Sequence, residues 1–180
     1  MASLPADLSD ITVRVAGVAE ESIVDGPGLR FVLFLQGCRS RCRGCQNPQT
    51  WDFSGGTDVT LREIEDRILA DPLVHGVTLS GGEPFEQAAA LIPLARSLRH
   101  RGYHLAAFSG FTFEQLAADP VRRELLSLLD LLVDGPYIES QRSLELRFRG
   151  SRNQRIINIP ESIRCGWIPV LDPLNEAPER

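Results

Sequence analysis

Apolar residues recur along this chain in short runs separated by longer stretches of helical period. Ile11–Val18 alternates apolar and small residues, which predicts a first strand. Phe31–Leu35 (FVLFL) is a continuous apolar run, the pattern of a strand buried on both faces. Val77–Leu79, Leu105–Phe108 and Leu131–Val133 are further short runs, and Ile156–Ile159 is a candidate for one more. Between them the period changes. Thr60 with Glu63 forms a capping-box pattern that opens a helix with Leu61, Ile64 and Ile68 on one face. Ala88, Leu91, Ala95 and Leu98 mark a second helix over about 85–101. Helical pattern returns over 113–129, broken at Pro120. Beyond Trp167 the chain reads as irregular, and residues 1–10 as a flexible tail. Residues 11–180 are expected to form a single domain.

Strands that alternate with helices point to βαβ units around a parallel sheet, so the fold class is α/β. Three strands end in glycine with a polar neighbour: Ser80-Gly81-Gly82, Ser109-Gly110 and Asp134-Gly135. In such folds the loops beyond the carboxyl ends of the strands build the site. The cysteine loop, SGGEP (80–84), FSGF (108–111) and VDGPY (133–137) are therefore expected to converge. The turn VDGPG (24–28) punctuates the chain before the FVLFL strand.

Composition narrows the function classes. The 180 residues are 43% hydrophobic and 24% charged, enough apolar material for a core without disulfide staples. The net charge of −5 gives no reason to expect nucleic-acid binding. All 19 basic residues are arginine, which removes any lysine Schiff base. No apolar run approaches the length of a membrane span, and MASLPADLSD lacks a signal-peptide apolar region. A cytoplasmic location is expected, with no membrane partner. In that reducing setting cysteines serve as metal ligands or catalytic groups more often than as disulfides.

Three of the four cysteines fall within eight residues, in QGCRSRCRGCQNP. The spacing C-x3-C-x2-C brings three thiolates onto one short loop. A [4Fe–4S] cube normally takes four thiolates, so three leave one iron open, and an open metal position is where chemistry happens. The bland alternative is a structural zinc site, with Cys165 or a histidine as fourth ligand. Zinc sites usually pair two C-x2-C knuckles, and the second knuckle is missing. Arg39, Arg41 and Arg43 interleave the cysteines, either as a docking face for an acidic electron donor or as a solvated rim.

With the cysteine loop after one strand and SGGEP after the next, the sequence resembles the radical S-adenosylmethionine superfamily. The resemblance implies a short partial (β/α) barrel, open on one side. It implies a [4Fe–4S] cluster on Cys38, Cys42 and Cys45, with S-adenosylmethionine on the open iron and cleaved to a 5′-deoxyadenosyl radical. It also implies cofactor contacts from Gly82, Glu83 and the neighbours of the last cysteine, Gly44 and Gln46, and more loosely from Ser109 and Asp134.

VDGPGLRFVLFLQGC and GCQNPQTWDFSGG closely resemble the opening of the glycyl-radical-enzyme activases. LLVDGPYI and LRFRGSRNQRII resemble the subgroup that activates anaerobic ribonucleoside-triphosphate reductase. The implied partners are such a reductase and a flavodoxin or ferredoxin-type electron donor. Arg147, Arg149, Arg152 and Arg155 are candidates for pairing with acidic groups of the partner, or form a solvated basic face, and VDGPG, Asn47, Trp51 and the 147–155 segment are candidates for lining or gating the opening, with core packing the alternative for Trp51. Two rivals stand beside this reading. One is a radical enzyme acting on a small molecule or peptide in a biosynthetic pathway, and the other a non-enzymatic iron–sulfur or zinc module.

Overall fold

The computed structural model describes residues 7–176. Seven strands form one mixed sheet: β1 (Thr12–Ser22), β2 (Arg30–Leu35), β3 (Thr57–Thr60), β4 (Gly76–Gly81), β5 (His104–Phe108), β6 (Leu131–Asp134) and β7 (Arg155–Asn158). Their order is β3-β1-β2-β4-β5-β6-β7. The central four, β2-β4-β5-β6, are parallel as expected, because a helical crossover joins each to the next. The flanks are antiparallel, and here the structure departs from the expected parallel sheet. β1 reaches β2 through the short connection 23–29, β3 returns along β1, and β7 pairs back on β6. None of these links carries a crossover helix, so antiparallel pairing is the geometry open to them.

The helices are α1 (Leu61–Ala70), α2 (Ala88–His100), α3 (Phe113–Ala118), α4 (Pro120–Ser127) and α5 (Ile159–Arg164). Thr60 and Glu63 form the anticipated capping box on α1. Thr112 and Gln115 form a second on α3, and Asp119 caps α4 where Pro120 interrupts the pattern. Strand alternation sorts the sheet into two faces. Phe31, Leu33, Leu35, Val77, Leu79, Leu105 and Ala107 join the large core that includes Leu61, Ile64, Leu91, Leu94 and Leu98 of α1 and α2. Ala106, Leu131, Val133 and Ile156 form a smaller cluster on the other face, with Phe108 and Phe148 against it. Of the segment read as a tail, residues 1–6 lie outside the described residues. Residues 7–10 form a turn that buries Leu8 in the large core. No helix among the described residues is long and apolar enough to cross a membrane.

The second face carries a fully buried arginine at the amino end of β2. The Arg30 guanidinium donates to Thr78 Oγ1 (2.6 Å) and to the carbonyls of Pro27 (2.9 Å), Val77 (2.8 Å) and His104 (3.0 Å), and meets His104 Nδ1 at 3.2 Å. Burial pulls its pKa down to about 10, opposed by the charges of Asp130 and Asp25. Thr78 in turn donates to the Asp25 carbonyl, so the VDGPG turn folds onto this same face. Arg30→Leu would take this donor from the buried Val77 carbonyl and from the part-buried carbonyls of Pro27 and His104. It is expected to cost about 3 kcal/mol, or about 6–12 °C in the thermal midpoint of a chain this size, measured on protein melted without oxygen. A shift within about 2 °C would mean that the guanidinium bonds contribute little net stability.

Candidate functional site

The cysteine loop leaves the carboxyl end of β2 and is closed at its base. The Gly37 N–H donates to Thr50 O (2.8 Å) and the Cys38 N–H to Trp51 O (3.1 Å). Buried Gln36 braces the closure through Nε2, which donates to the carbonyls of Gln49 (3.1 Å) and Asp52 (2.6 Å). Within the loop the Cys45 N–H bonds the Cys42 carbonyl, and the Asn47 N–H points at Cys45 Sγ (3.4 Å). Cys38 is buried, Cys42 and Cys45 are half-buried, and Cys165 is exposed near Glu161, on the helix that follows β7.

The three thiols line a cavity at the carboxyl ends of the parallel strands. Ser80, Gly81 and Gly82 contribute one wall, and Phe108, Ser109 and Gly110 another. Ser40, Trp51 and Tyr137 complete the lining. All four loops singled out in the sequence thus reach one place, and the VDGPY loop does so through Tyr137.

Gly81, which ends β4, and Gly82 after it are needed for backbone contact. A β-carbon on Gly81, whose φ is +94°, would sit 2.6 Å from Leu35 N, and one on Gly82 2.4 Å from Gly37 O. In the space this leaves, the Gly82 N–H donates to Leu35 O (2.7 Å) and the Glu83 N–H to Gly37 O (2.8 Å). Glu83 is 2% exposed. Its Oε1 accepts from Ser109 Oγ (2.9 Å) and the Phe85 N–H (3.1 Å), and Oε2 from the Gly110 N–H (2.8 Å). Burial drives its pKa up to about 7 against the pull of those three donors.

The other residues singled out fall in different places. Gly44 lies on the outer side of the loop, where a β-carbon would meet Glu139 Oε1 at 2.7 Å. Gln46 is exposed. Asp134 is buried and turned into the protein, accepting from the Phe113 N–H (2.7 Å) and from Arg155 Nε (2.9 Å). Arg155 also bonds Glu114, while Arg149 donates to Gln154 O and Asn175 O. Of the four arginines proposed for a partner, Arg147 and Arg152 are exposed, and the other two are engaged in the protein's own structure. Arg39 pairs with Glu86 (3.3 Å) and Arg43 with Glu139 (3.0 Å), both from exposed positions. Ser40 was not picked out from the sequence, and Phe108 and Tyr137 only as members of the FSGF and VDGPY loops. An aromatic residue directly after the strand-end DGP was the available signal for Tyr137.

The donor set fits a cluster. Iron binding takes thiolates, and burial with the neighbouring Cys38 and Cys45 raises the Cys42 thiol, opposed by a hydrogen bond from the Tyr137 N–H. N–H groups directed at ligand sulfurs, from Tyr137 and Asn47, are the usual means by which a protein tunes such a centre. Among the described residues no three His, Cys, Asp or Glu side chains close to single-ion spacing.

A chain whose strand-end loops gather three thiols around one cavity has the makings of a single-cluster iron–sulfur protein. The family described as a 4Fe-4S single cluster domain matches residues 24–157. Curated relatives include the anaerobic ribonucleoside-triphosphate reductase-activating proteins of Pasteurella multocida and Vibrio cholerae. They are 35% and 37% identical over 143 residues, covering 74% of this chain and 90% of theirs. The pyruvate formate-lyase-activating enzyme of Listeria monocytogenes is 32% identical over 172 residues, 91% of this chain and 68% of its own. Among solved structures, QueE from Escherichia coli aligns over 62% of this chain and 58% of its own, at 17% identity and a TM-score of 0.48. The chain belongs to the radical S-adenosylmethionine superfamily, in its branch of glycyl-radical-enzyme activating proteins.

Alanine at Cys38, Cys42 or Cys45 is expected to abolish iron uptake on anaerobic reconstitution, and Cys165→Ala to leave it complete, as read by iron content and absorbance. Loss of iron in Cys165→Ala would overturn the ligand assignment. Gly82→Ala pushes a β-carbon into the Gly37 carbonyl. It is expected to lower both the thermal midpoint and cluster occupancy, since Gly37 carries Cys38. An unchanged midpoint would show that the contact yields freely.

Proposed function

We propose that this protein holds a [4Fe–4S] cluster on Cys38, Cys42 and Cys45, cleaves S-adenosylmethionine, and installs a glycyl radical in an anaerobic ribonucleoside-triphosphate reductase. The observation that carries the reading is the cavity itself, where three thiols face the glycine-lined ends of β4 and β5. Relatives bearing the name of that reductase's activating protein, similar over nine-tenths of their length, support the choice of partner. When bound, cluster and cofactor together supply a carbon radical able to abstract a hydrogen atom.

The chain's own part is to hold, orient and exclude water. The cofactor's ammonium only donates, so a Gly82 contact to it runs through the Gly82 carbonyl, while the Gly82 N–H donates to Leu35 O. The Ser80 and Ser109 hydroxyls line the same cavity, and Phe108, Trp51 and Tyr137 give it apolar walls. No general base is needed at the target carbon, since a hydrogen atom leaves rather than a proton. In this reading the sheet is a partial barrel, open on one side to admit the partner's glycine loop. The 147–155 segment and the VDGPG turn, with exposed Arg147, Arg152 and Val24, edge that opening. The electron arrives from a small acidic flavodoxin or ferredoxin-type protein, and the setting is cytoplasmic.

Incubating protein, reductant, S-adenosylmethionine and the reductase of the same source without oxygen is expected to give a protein-borne doublet in electron paramagnetic resonance. Deuterium placed at the target glycine should appear in 5′-deoxyadenosine. Deuterium arriving only from a small metabolite, with no radical on the reductase, would overturn the activase reading in favour of a biosynthetic enzyme.

A further inference from the structure

Glu83 is a buried carboxylate beside the cavity, yet it does not line it. Both of its oxygens are committed to protein donors. Oε1 takes the Ser109 hydroxyl and the Phe85 N–H, and Oε2 takes the Gly110 N–H. The Ser109 hydroxyl is itself an acceptor for the Phe111 N–H (3.0 Å), so its one proton is left for Glu83. The backbone of Glu83 works in the opposite direction, its N–H donating to Gly37 O one residue before Cys38. Gly110 closes the circuit. It packs against the cysteine loop, where an added β-carbon would meet Ser40 Oγ at 3.1 Å and Glu83 Oε2 at 3.6 Å. One residue therefore grips the cysteine loop by its backbone and the β5 loop by its side chain.

We propose that Glu83 is a positioning residue that sets the width of the cofactor cavity, by fixing the β5 loop against the cysteine loop, and that it does not itself touch the cofactor. The chemistry at the site demands a carboxylate. All three partners are donors, and only a carboxylate offers two acceptor oxygens with no proton of its own. A glutamine of the same shape turns an NH2 group toward the Gly110 N–H or, in its other orientation, toward the Phe85 N–H, a donor facing a donor either way. The loop must then move, and Ser109 and Gly110, which do line the cavity, move with it. The proposal rests on the cavity being the S-adenosylmethionine site.

The test uses full-length protein reconstituted with iron and sulfide without oxygen, as wild type, Glu83→Gln, Gly110→Ala and the double variant. Gly110→Ala widens the same gap from the Ser40 side and leaves the carboxylate in place, so it probes spacing even where Glu83→Gln folds poorly. Iron content and melting are checked first. S-adenosylmethionine affinity is then measured, with the change the cofactor produces in the reduced cluster's paramagnetic spectrum. Both single variants are expected to keep the cluster, bind S-adenosylmethionine at least about tenfold more weakly, and show an altered cofactor-induced spectrum. The double variant should be no worse than the weaker single, because both act on one gap. Wild-type affinity in Gly110→Ala, or losses that multiply in the double variant, would overturn the positioning role and return Glu83 to direct contact. Wild-type protein that fails to bind S-adenosylmethionine at all would overturn the functional reading, and the proposal with it.

Discussion

The backbones of Gly81 and Gly82 lie against that of Phe34–Gly37 with no room for a β-carbon between them. Two hydrogen bonds, Gly82 N–H to Leu35 O and Glu83 N–H to Gly37 O, continue the β2–β4 pairing beyond the strands and into the loop that begins the cysteine segment. The position of Cys38 is thereby referred to a rigid parallel pair rather than left to a thirteen-residue excursion. The second closure, at Thr50 and Trp51, is made from the same stub of β2, with Gln36 bridging the two chain directions. A loop that must present three thiols in fixed relation gains precision from such anchoring on strands.

Arg30 marks the opposite end of the same strand. It satisfies its donors on Thr78 and the carbonyls of Pro27, Val77 and His104, so it clamps the starts of β2, β4 and β5 together as the glycines clamp the ends of β2 and β4. A guanidinium suits this place because its planar fork reaches several carbonyls at once. The VDGPG turn is held by the same group, which explains why an arginine follows it so closely. The turn is therefore folded onto the face of the sheet that carries Ser80 and the cavity, and not left to project beyond the sheet.

The parallel centre, its helices and the strand-end loops were legible because each has a local signature. Thr60 with Glu63, Ala88 through Leu98, and the glycine pairs declare themselves within a few residues. β3 was not legible: TDVT is four residues long, half exposed, and becomes a strand only by pairing with Thr12–Val15. The antiparallel flanks were missed for the same reason, since pairing direction is a long-range property. In the site, the sequence pointed to residue types without their orientation. Asp134 ends a strand, as a ligand residue would, but Arg155, twenty-one residues on, draws its carboxylate inward. Arg149 is likewise committed to Gln154 and Asn175. Whether a charged side chain faces a cavity or a neighbour depends on which partner the fold brings near, and periodicity does not carry that information.

The resulting distribution of charge has a chemical logic. Apart from its three thiols, the cavity is lined by hydroxyls, aromatic rings and backbone, while the carboxylates beside it, Glu83 and Asp134, are satisfied by other parts of the protein. A buried, unpaired carboxylate in the cavity would have to be neutralised or matched by a ligand cation. Its charge would also act on the cluster at short range in a medium of low dielectric constant. Turning both carboxylates away leaves recognition to shape, carbonyls and hydroxyls, and spends their charge on holding loops in place. Such an arrangement suits hydrogen-atom abstraction, where the protein's task is to fix distances between reacting carbons rather than to move protons.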